Sequence, residues 1–288
     1  MDINLLQVQD IVTRALREDI GNGDITTRLT VPDSATGSGV IVAKEAGVIA
    51  GLQVAAICFH TVDSRVHFEA LVEDGDSVQP GREIVRISGP AASLLAAERV
   101  SLNFLQRMSG IATLTSQFVE RVRGTKARIV DTRKTTPGLR ALEKYAVRAG
   151  GGFNHRFGLD DGILIKDNHI AVAGGVAAAV TAAKGCAPHT LRVEVEVQNI
   201  VQAREVLEAG ADALLLDNMT PSKMAEAVAL VAGRAVVEAS GGVSLDSVAE
   251  IAAAGADIIS VGALTHSFKS LDLSLNISLT GGESEGLP

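Results

Sequence analysis

The second half of the chain repeats one pattern of hydrophobic and polar positions. A short apolar, β-branched run ends in a charged or glycine-rich cluster, and an alanine-rich stretch with helical spacing follows. The last four clusters recur every 21 to 23 residues, measured from Glu196 to Asp217, Ser240 and Gly262. Strands that alternate with helices at this period predict βα units, a parallel sheet and, with six strands, a barrel. The six runs are Ala127–Thr132, Gly162–Lys166, Leu191–Val197, Ala213–Asn218, Ala235–Ser240 and Asp257–Gly262.

The first hundred residues follow a different pattern. Short alternating runs separated by turn dipeptides fill Val72–Ile87, which predicts a small β-rich subdomain. The stretch Ser93–Val122 has helical spacing, with a break expected at Gly110. These patterns predict an N-terminal domain over residues 1–110, a barrel domain over 111–275 and a flexible C-terminal tail over 276–288.

Composition and charge narrow the possible functions. Hydrophobic residues make up 47% of the 288, so the chain can bury a large core. The chain has 26 basic and 34 acidic residues, a net charge of −8, and it lacks tryptophan. Both features argue against a general nucleic-acid-binding protein. Two distant cysteines and an acidic N-terminus without a basic region favour a reducing, cytoplasmic setting. The longest apolar stretch, Ile170–Ala183, is too short to span a membrane, so no membrane partner is expected.

The ends of the predicted strands carry the candidate chemistry, because barrel enzymes build their sites there. Between Arg99 and His169 there are 13 basic and 6 acidic residues in a chain that is acidic overall, which indicates a cleft for a small anion. Glycines at the last two strand ends let backbone amides approach a phosphate. The acidic residues Glu196 and Asp217 suit ribose hydroxyls or a magnesium ion. The strand-end residues are Asp131–Lys134, Lys166–His169, Glu194 or Glu196, Asp217-Asn218, Ser240–Gly242 and Gly262-Ala263.

Several of these residues also have a structural interpretation. Lys166 could form a structural ion pair with Glu196 or Asp217. His155 and His169 could each be a satisfied structural histidine. Glu194 and Glu196 point the same way from one strand, so one of them could be purely structural. Arg99 lies in a helix far upstream of the barrel, where a surface ion pair is the simpler interpretation.

A set of sequence motifs extends over nearly the whole chain. The motifs are EDIGNGDITT (Glu18–Thr27), AERVSLNFLQRMSGIAT (Ala97–Thr113), DTRKTTPGLR (Asp131–Arg140), GGGFNHR (Gly150–Arg156), LIKDNH (Leu164–His169), VEVEV (Val193–Val197), LLLDN (Leu214–Asn218), EASGGV (Glu238–Val243) and SVGALTHS (Ser260–Ser267). No single motif is specific, but the combination is, and it resembles that of the quinolinate phosphoribosyltransferase family.

The resemblance implies a fold, a reaction and an assembly. The fold is the α/β type II phosphoribosyltransferase fold, with an N-terminal α/β sandwich domain and an incomplete, seven-stranded α/β barrel. The reaction joins quinolinate and phosphoribosyl pyrophosphate (PRPP) into nicotinate mononucleotide, pyrophosphate and carbon dioxide for NAD biosynthesis, with Mg²⁺. The active site is shared across a homodimer, and Arg99 enters from the neighbouring subunit.

The resemblance also carries over roles for individual residues. It implies catalytic roles for Lys134, Lys166, Glu196 and Asp217, and the two acidic residues are also its magnesium ligands. The implied substrate-binding residues are Arg99, Thr132, Arg133, Lys134, His155, Arg156, Lys166, Glu196, Asp217, Ser240, Gly241, Gly242, Gly262 and Ala263.

Three other functions fit parts of the pattern. The chain could be a relative on the same fold, either a nicotinate phosphoribosyltransferase or the pyrophosphorylase-like protein associated with molybdenum transport. A nicotinate enzyme needs fewer cations than are assembled here. A Schiff-base aldolase barrel would use Lys166 as its nucleophile. A non-catalytic protein could bind PRPP without turnover.

Overall fold

A computed structural model describes residues 4–280, and the chain divides into two compact units. The first unit contains the chain up to Leu114, Pro137–Gly151 and the chain from Phe268 onward. The second contains Thr115–Thr136 and Gly152–Ser267. The units therefore alternate along the chain, whereas the sequence predicted one boundary after residue 110.

Helices and strands are numbered here in chain order. The first nine elements are α1 (Leu5–Ile20), α2 (Ile25–Thr30), β1 (Thr36–Ala43), β2 (Gly47–Val48), α3 (Leu52–Val62), β3 (His67–Ala70), β4 (Ser77–Val78), β5 (Glu83–Pro90) and α4 (Ala91–Arg121). The next seven are β6 (Arg128–Val130), α5 (Arg140–Ala149), β7 (Ile163–Ile165), α6 (Asp167–Ala173), α7 (Val176–Cys186), β8 (Val193–Val197) and α8 (Ile200–Glu208). The described chain then continues with β9 (Ala213–Asp217), α9 (Pro221–Val231), β10 (Val236–Ser240), α10 (Val248–Ala253), β11 (Ile258–Ser260), α11 (Ala263–His266) and β12 (Leu273–Thr280).

The first unit is built on an antiparallel sheet in the order β12-β1-β5-β3. Alternating apolar residues of the central strands, such as Ile41 and Ile87, pack against Phe59 of α3 and Leu94 and Leu105 of α4. All five side chains are almost completely removed from solvent, which is the main source of stability in such a layer. This arrangement confirms the predicted N-terminal domain of sheet and helices.

Helix α5 belongs to the first unit because specific polar contacts fasten it there. Arg107 of α4 donates to the completely buried Glu143 at 2.5 Å. The hydroxyl of Tyr145 donates to Asp74 at 2.6 Å. A buried carboxylate needs a paired cation, so the Arg107 contact ties α5 to α4 and accounts for the interleaved units.

Helix α4 continues through Gly110, where the sequence predicted a break. A side chain at this position would strike the backbone of the C-terminal segment, with Ser270 Cα at 2.9 Å and the carbonyl of Lys269 closer still. Glycine is required here by the close approach of that segment. The glycine makes room for that segment and does not end the helix, which continues through it.

The last described strand, β12, corrects the predicted flexible tail over residues 276–288. β12 pairs antiparallel with β1 from Thr36↔Thr280 to Ala43↔Leu273, so residues 276–280 lie in the sheet. The alternation of Leu273, Leu275 and Ile277 places one apolar face on the core of the first unit. The rest of the predicted tail lies outside the described residues.

The second unit is a parallel sheet flanked by helices, in the strand order β6-β11-β10-β9-β8-β7. All six strands fall within the six apolar runs of the sequence pattern. Asn199 caps α8, and Thr220 caps α9 with Pro221 in its first turn, as their residue types favour. The predicted α/β class with a parallel second domain is confirmed.

The described sheet of the second unit has six strands, where the family resemblance implied seven. Phe153 forms an isolated parallel bridge with Val130, on the edge of β6 opposite β11. Its segment occupies the place of a seventh strand without extending into a ladder. Among the described residues no hydrogen-bonded ladder joins this edge to β7, so the sheet is an open barrel.

No single helix in the described part of the chain is both long enough and apolar enough to cross a membrane. Helices α6 and α7 meet that requirement only when they are counted together. They bend by 92° at the glycine pair between them, Gly174 and Gly175.

Candidate active site

A cavity of about 460 Å³ opens at the carboxyl ends of the strands in the second unit. This is the end where parallel α/β folds place their sites. The lining comes from the segments that follow β6, β7, β9, β10 and β11, and from inward-facing side chains of the strands. The lining residues are Thr132, Arg133, Lys134, His155, Arg156, Leu164, Lys166, Glu196, Leu215, Asp217, Glu238, Ser240, Gly241, Gly242, Val243, Ser260, Gly262, Ala263 and His266.

Every residue of the second unit to which the resemblance assigns a role lines this cavity. The one such residue outside the second unit, Arg99, lies in the first unit on an exposed position of α4. The other strand-end candidates do not line the cavity: Asp131, Asp167, Asn168, His169, Glu194 and Asn218. Its entry into the site of a neighbouring subunit stays a prediction. The repeating pattern predicted the strand-end residues of the wall, because equivalent strand ends meet at one edge of a parallel sheet. The roles of His155 and Arg156 came from the resemblance alone.

The cavity wall carries four cationic side chains together with three carboxylates. Arg133, Lys134, Arg156 and Lys166 all contribute side chains to it. Burial, together with the neighbouring Arg133 charge, lowers the pKa of the Arg156 guanidinium. Arg156 is held in place because its Nη1 donates to the carbonyl of Gly162 at 3.0 Å. Two neighbouring arginines on a cavity wall suit an anion with more than one carboxylate or phosphate group.

Lys166 forms the ion pair that its structural interpretation anticipated. Its Nζ donates to Glu196 Oε2 at 2.8 Å, with the lysine side chain 48% and the glutamate side chain 13% exposed. The backbone N–H of Lys166 donates to His169 Nδ1 at 2.9 Å, which fixes the start of α6. Because the Lys166 amine is engaged by the Glu196 carboxylate, the site suits an electrostatic role better than a nucleophilic one.

Lys134 is held by contacts on both sides of its backbone. Its N–H donates to Thr132 Oγ1 at 3.0 Å, and its carbonyl accepts from the buried Thr265 Oγ1 at 2.8 Å. A Cβ atom at Gly262 would lie 3.2 Å from Lys134 Cδ and 3.0 Å from His266 Nε2. The glycine therefore leaves the space through which the Lys134 side chain runs along the wall.

His155 sits between two glutamates at the base of the cavity. Its Nε2 lies 3.4 Å from both Glu194 Oε2 and Glu238 Oε2. Burial disfavours the charged ring, but hydrogen bonding to the two carboxylates outweighs it and raises the pKa of His155 to about 10. One contact acts in the opposite direction: the backbone N–H of Arg156 donates to Nδ1 at 2.7 Å, which favours a single ring proton on Nε2.

The buried carboxylates set the environment of that histidine. The completely buried Asp131 accepts from the backbone N–H of His155 at 3.0 Å and from Asn154 Nδ2 at 2.5 Å. Burial and the neighbouring Glu238 charge raise the pKa of Glu194. The ligand atoms of His155, Glu194 and Glu238 all lie within 4.8 Å of one another, so these three groups could also hold a metal ion.

The structure resolves the ambiguity between the two inward-facing glutamates of β8. Glu196 lines the cavity and binds Lys166, whereas Glu194 contacts His155. Both face inward, because Val193, Val195 and Val197 occupy the buried outer face of the strand.

Sequence reasoning missed several residues of the wall. Glu238 lies two positions before Ser240 on the same strand face, a parity that could have revealed it. His266 follows Gly262 by four positions, which is about one helical turn. Four more were missed because apolar residues and a lone serine carry no chemical signal of their own: Leu164, Leu215, Val243 and Ser260.

Comparison with known proteins identifies relatives that match most of the length of the chain. The sequence profile of the N-terminal domain of quinolinate phosphoribosyl transferase matches residues 24–109, and that of its C-terminal domain matches residues 111–276. A probable nicotinate-nucleotide pyrophosphorylase [carboxylating] of Bacillus subtilis (strain 168) is 44% identical over 98% of this chain and 98% of its own length. The nicotinate-nucleotide pyrophosphorylase [carboxylating] of Mycobacterium leprae is 46% identical over 93% of this chain and 96% of its own length.

Solved structures extend the agreement to the fold. The crystal structure of NadC from Streptococcus pyogenes superposes with a TM-score of 0.93 at 43% sequence identity. The superposition covers 97% of this chain and 99% of that one. The chain therefore belongs to the quinolinate phosphoribosyltransferase family.

Proposed function

We propose that this protein transfers the phosphoribosyl group of PRPP to quinolinate. The transfer releases pyrophosphate, and loss of the 2-carboxylate as carbon dioxide then gives nicotinate mononucleotide, a step of NAD biosynthesis. The observation that carries the proposal is the cationic cavity at the strand ends, with acidic groups and glycines on its wall, in a chain of this family.

Quinolinate presents two adjacent carboxylates, and the cavity offers matching cations. Arg133, Arg156 and Lys166 supply positive charge from the second unit. His155 contributes less net charge, since Glu194 and Glu238 face the same ring nitrogen. Binding at fixed points would hold the ring nitrogen close to the anomeric carbon of PRPP, which removes much of the entropic cost of a reaction between two molecules.

PRPP would occupy the rest of the wall. The backbone amides of Ser240–Gly242 and Gly262-Ala263 suit its phosphate oxygens, and Thr132 offers a hydroxyl. Glu196 and Asp217 suit its ribose hydroxyls. As pyrophosphate departs, the ribose gains positive charge that these carboxylates stabilise, while Lys134 stabilises the leaving group. The positive charge of the new pyridinium nitrogen then stabilises the electron pair that stays on ring carbon C2 when the 2-carboxylate leaves as carbon dioxide, and C2 takes up a proton from solvent.

The two carboxylates also fit a Mg²⁺ ion. Magnesium is usually held by one or two carboxylates together with the phosphates of a substrate. Lys166 engages one oxygen of Glu196, and Asn218 engages one oxygen of Asp217. No hydrogen bond within residues 4–280 engages the second oxygen of either group. Glu196 and Asp217 would hold the ion against PRPP, where it would neutralise charge on the departing pyrophosphate.

The proposal includes an assembly and a compartment. We propose a homodimer in which Arg99 completes the quinolinate site of the neighbouring subunit, as the family resemblance implies. The exposed position of Arg99 on α4 supports this role. We place the protein in the cytoplasm, since Cys58 and Cys186 are both free and the composition lacks the features of a secreted scaffold.

Variants of Lys134 and Glu196 test the assigned roles. Lys134→Ala and Glu196→Ala should each lower kcat by about 100-fold, because each removes charge that stabilises the transition state. Quinolinate affinity, measured by calorimetric titration, should change much less. Unchanged turnover in either variant would contradict the role of that residue. A loss of quinolinate affinity as large as the loss of kcat would show that the residue binds quinolinate instead.

A further inference from the structure

Asn218 lies beside the Asp217 carboxylate at the end of β9. Its Nδ2 donates to Asp217 Oδ2 at 2.9 Å, and its backbone N–H donates to the carbonyl of Ser240 at 2.9 Å. Asp217 and Ser240 are themselves partners in the β9–β10 ladder. One residue therefore connects a carboxylate of the cavity wall to the first residue of the Ser240–Gly242 segment.

The backbone of Asn218 is left-handed, with φ of 53°. Asparagine is one of the few residue types other than glycine that adopt this conformation readily. An amide side chain at this position also supplies a hydrogen-bond donor to its neighbour. Glycine would supply only the backbone conformation, and aspartate would replace the donor with a second negative charge.

Gly241 leaves the space that the Asn218 side chain fills. Gly241 has φ of 90°, and a Cβ atom there would lie 2.5 Å from Asn218 Cγ and 2.9 Å from its backbone nitrogen. Gly242, the next residue, has nothing within 4 Å of the equivalent position. The glycine at 241 is thus required by the packed amide of Asn218, in addition to any role toward a phosphate.

We infer that Asn218 is a positioning residue for the PRPP half of the site. Its amide engages Oδ2 of Asp217 and so leaves Oδ1 for the substrate, and its backbone aligns that carboxylate with the Ser240–Gly242 segment. No protein group in the described chain hydrogen-bonds to Oδ1 of Asp217. This inference rests on the proposed function, because it assigns Asp217 to PRPP. It requires no contact between Asn218 and quinolinate.

Two variants distinguish the contribution of the Asn218 side-chain amide from that of its left-handed backbone conformation. Asn218→Gly keeps the left-handed conformation and removes the donor, whereas Asn218→Asp keeps the side-chain shape and places a like charge beside Asp217. Ala232→Gly is the matched control, since Ala232 has φ of 48° at the end of α9 and does not line the cavity. Calorimetric titration with PRPP and Mg²⁺, without quinolinate, gives a binding readout that does not depend on turnover.

Asn218→Gly should weaken PRPP binding and raise the KM for PRPP by about tenfold, the usual effect of losing a hydrogen bond that orients a ligand group. Asn218→Asp should weaken binding further. The KM for quinolinate and the thermal midpoint should stay close to those of Ala232→Gly. PRPP affinity within twofold of wild type in Asn218→Gly would overturn the inference, as would equal losses for both substrates. Wild-type protein that neither binds nor turns over PRPP would instead overturn the proposed function.

Discussion

Single side chains decide how the cavity distributes its charge. His155 is one of the basic residues that the sequence places near an anion, yet in the structure it faces two carboxylates. The net charge of this cluster is therefore not positive, and the arginines carry the attraction for substrate. Sequence alone could not show this, because Glu194 and Glu238 lie 39 and 83 positions away along the chain and meet His155 only through the sheet.

The protonation of His155 can be measured directly. Because its pKa is raised to about 10 from an ordinary value of 6.5, its contribution to stability should be complete below pH 6.5 and disappear as the pH rises toward 10. NMR titration of the ring should give a midpoint well above 6.5. Glu238→Gln should lower that midpoint and destabilise the fold by about 1–3 kcal/mol, since it weakens a buried contact.

A midpoint at or below 6.5 in wild-type protein would contradict this interpretation. It would mean that burial and the hydrogen bond from the Arg156 amide to Nδ1 prevail, and that the ring is neutral at physiological pH. Glu238→Gln would then leave the midpoint unchanged.

Strands and helices were predictable where their pattern was long and regular. The six strands of the second unit and their parallel pairing follow from the repeated apolar runs, whereas the order of the strands in the sheet was seen only in the structure. Strand β12 was predictable from its strict alternation over eight residues, but its position near the C-terminus favoured a flexible tail instead. The break expected at Gly110 was wrong, since a glycine required by a tertiary contact looks the same in sequence as one that ends a helix.

The same aspartate contacts occur before two strands of the second unit. The sequence Ala-Gly-Ala-Asp precedes both β9 and β11, ending at Asp212 and Asp257. Each aspartate accepts a hydrogen bond from a backbone N–H of a neighbouring strand segment, Val193 at 2.8 Å and Val237 at 2.9 Å. Each also binds a lysine: Lys184 pairs with Asp212, and Lys126 with Asp257. These contacts link neighbouring strand segments at the end of the sheet opposite the cavity.

Removing one of these aspartates should destabilise the fold without changing the chemistry. Asp257→Ala should lower the free energy of unfolding by about 1–3 kcal/mol, because the amide of Val237 loses its side-chain acceptor. Asp257→Asn is the matched control and should lose less, since its carbonyl oxygen can still accept. Denaturant unfolding measures both. Equal losses in the two variants would show that the ion pair with Lys126, rather than the backbone contact, matters.

The assembly is the part of the molecule that the pattern of residues could least predict. The resemblance implied that Arg99 works in a neighbouring subunit, and Arg99 is exposed in the first unit. The composition of each unit was also unpredictable in detail, because α5 joins the first unit through a buried ion pair rather than through chain order.

Mixed dimers test whether the site is shared. Arg99→Ala and Lys134→Ala should each be nearly inactive alone. When the two are mixed and allowed to exchange subunits, one site of each mixed dimer regains both native residues, so activity should reappear. A mixture no more active than either variant, with subunit exchange verified by differently tagged chains, would show that both residues serve the same subunit's site.

The most direct test of the proposed reaction is turnover with two rival substrates. Purified protein, PRPP and Mg²⁺ are incubated with quinolinate or with nicotinate, while nicotinate mononucleotide is followed by chromatography and carbon dioxide by trapping. Quinolinate alone should give product, with one carbon dioxide released for each nucleotide and a requirement for Mg²⁺. Product from nicotinate alone, or no product from either substrate, would contradict the assignment of this cavity to a dicarboxylate.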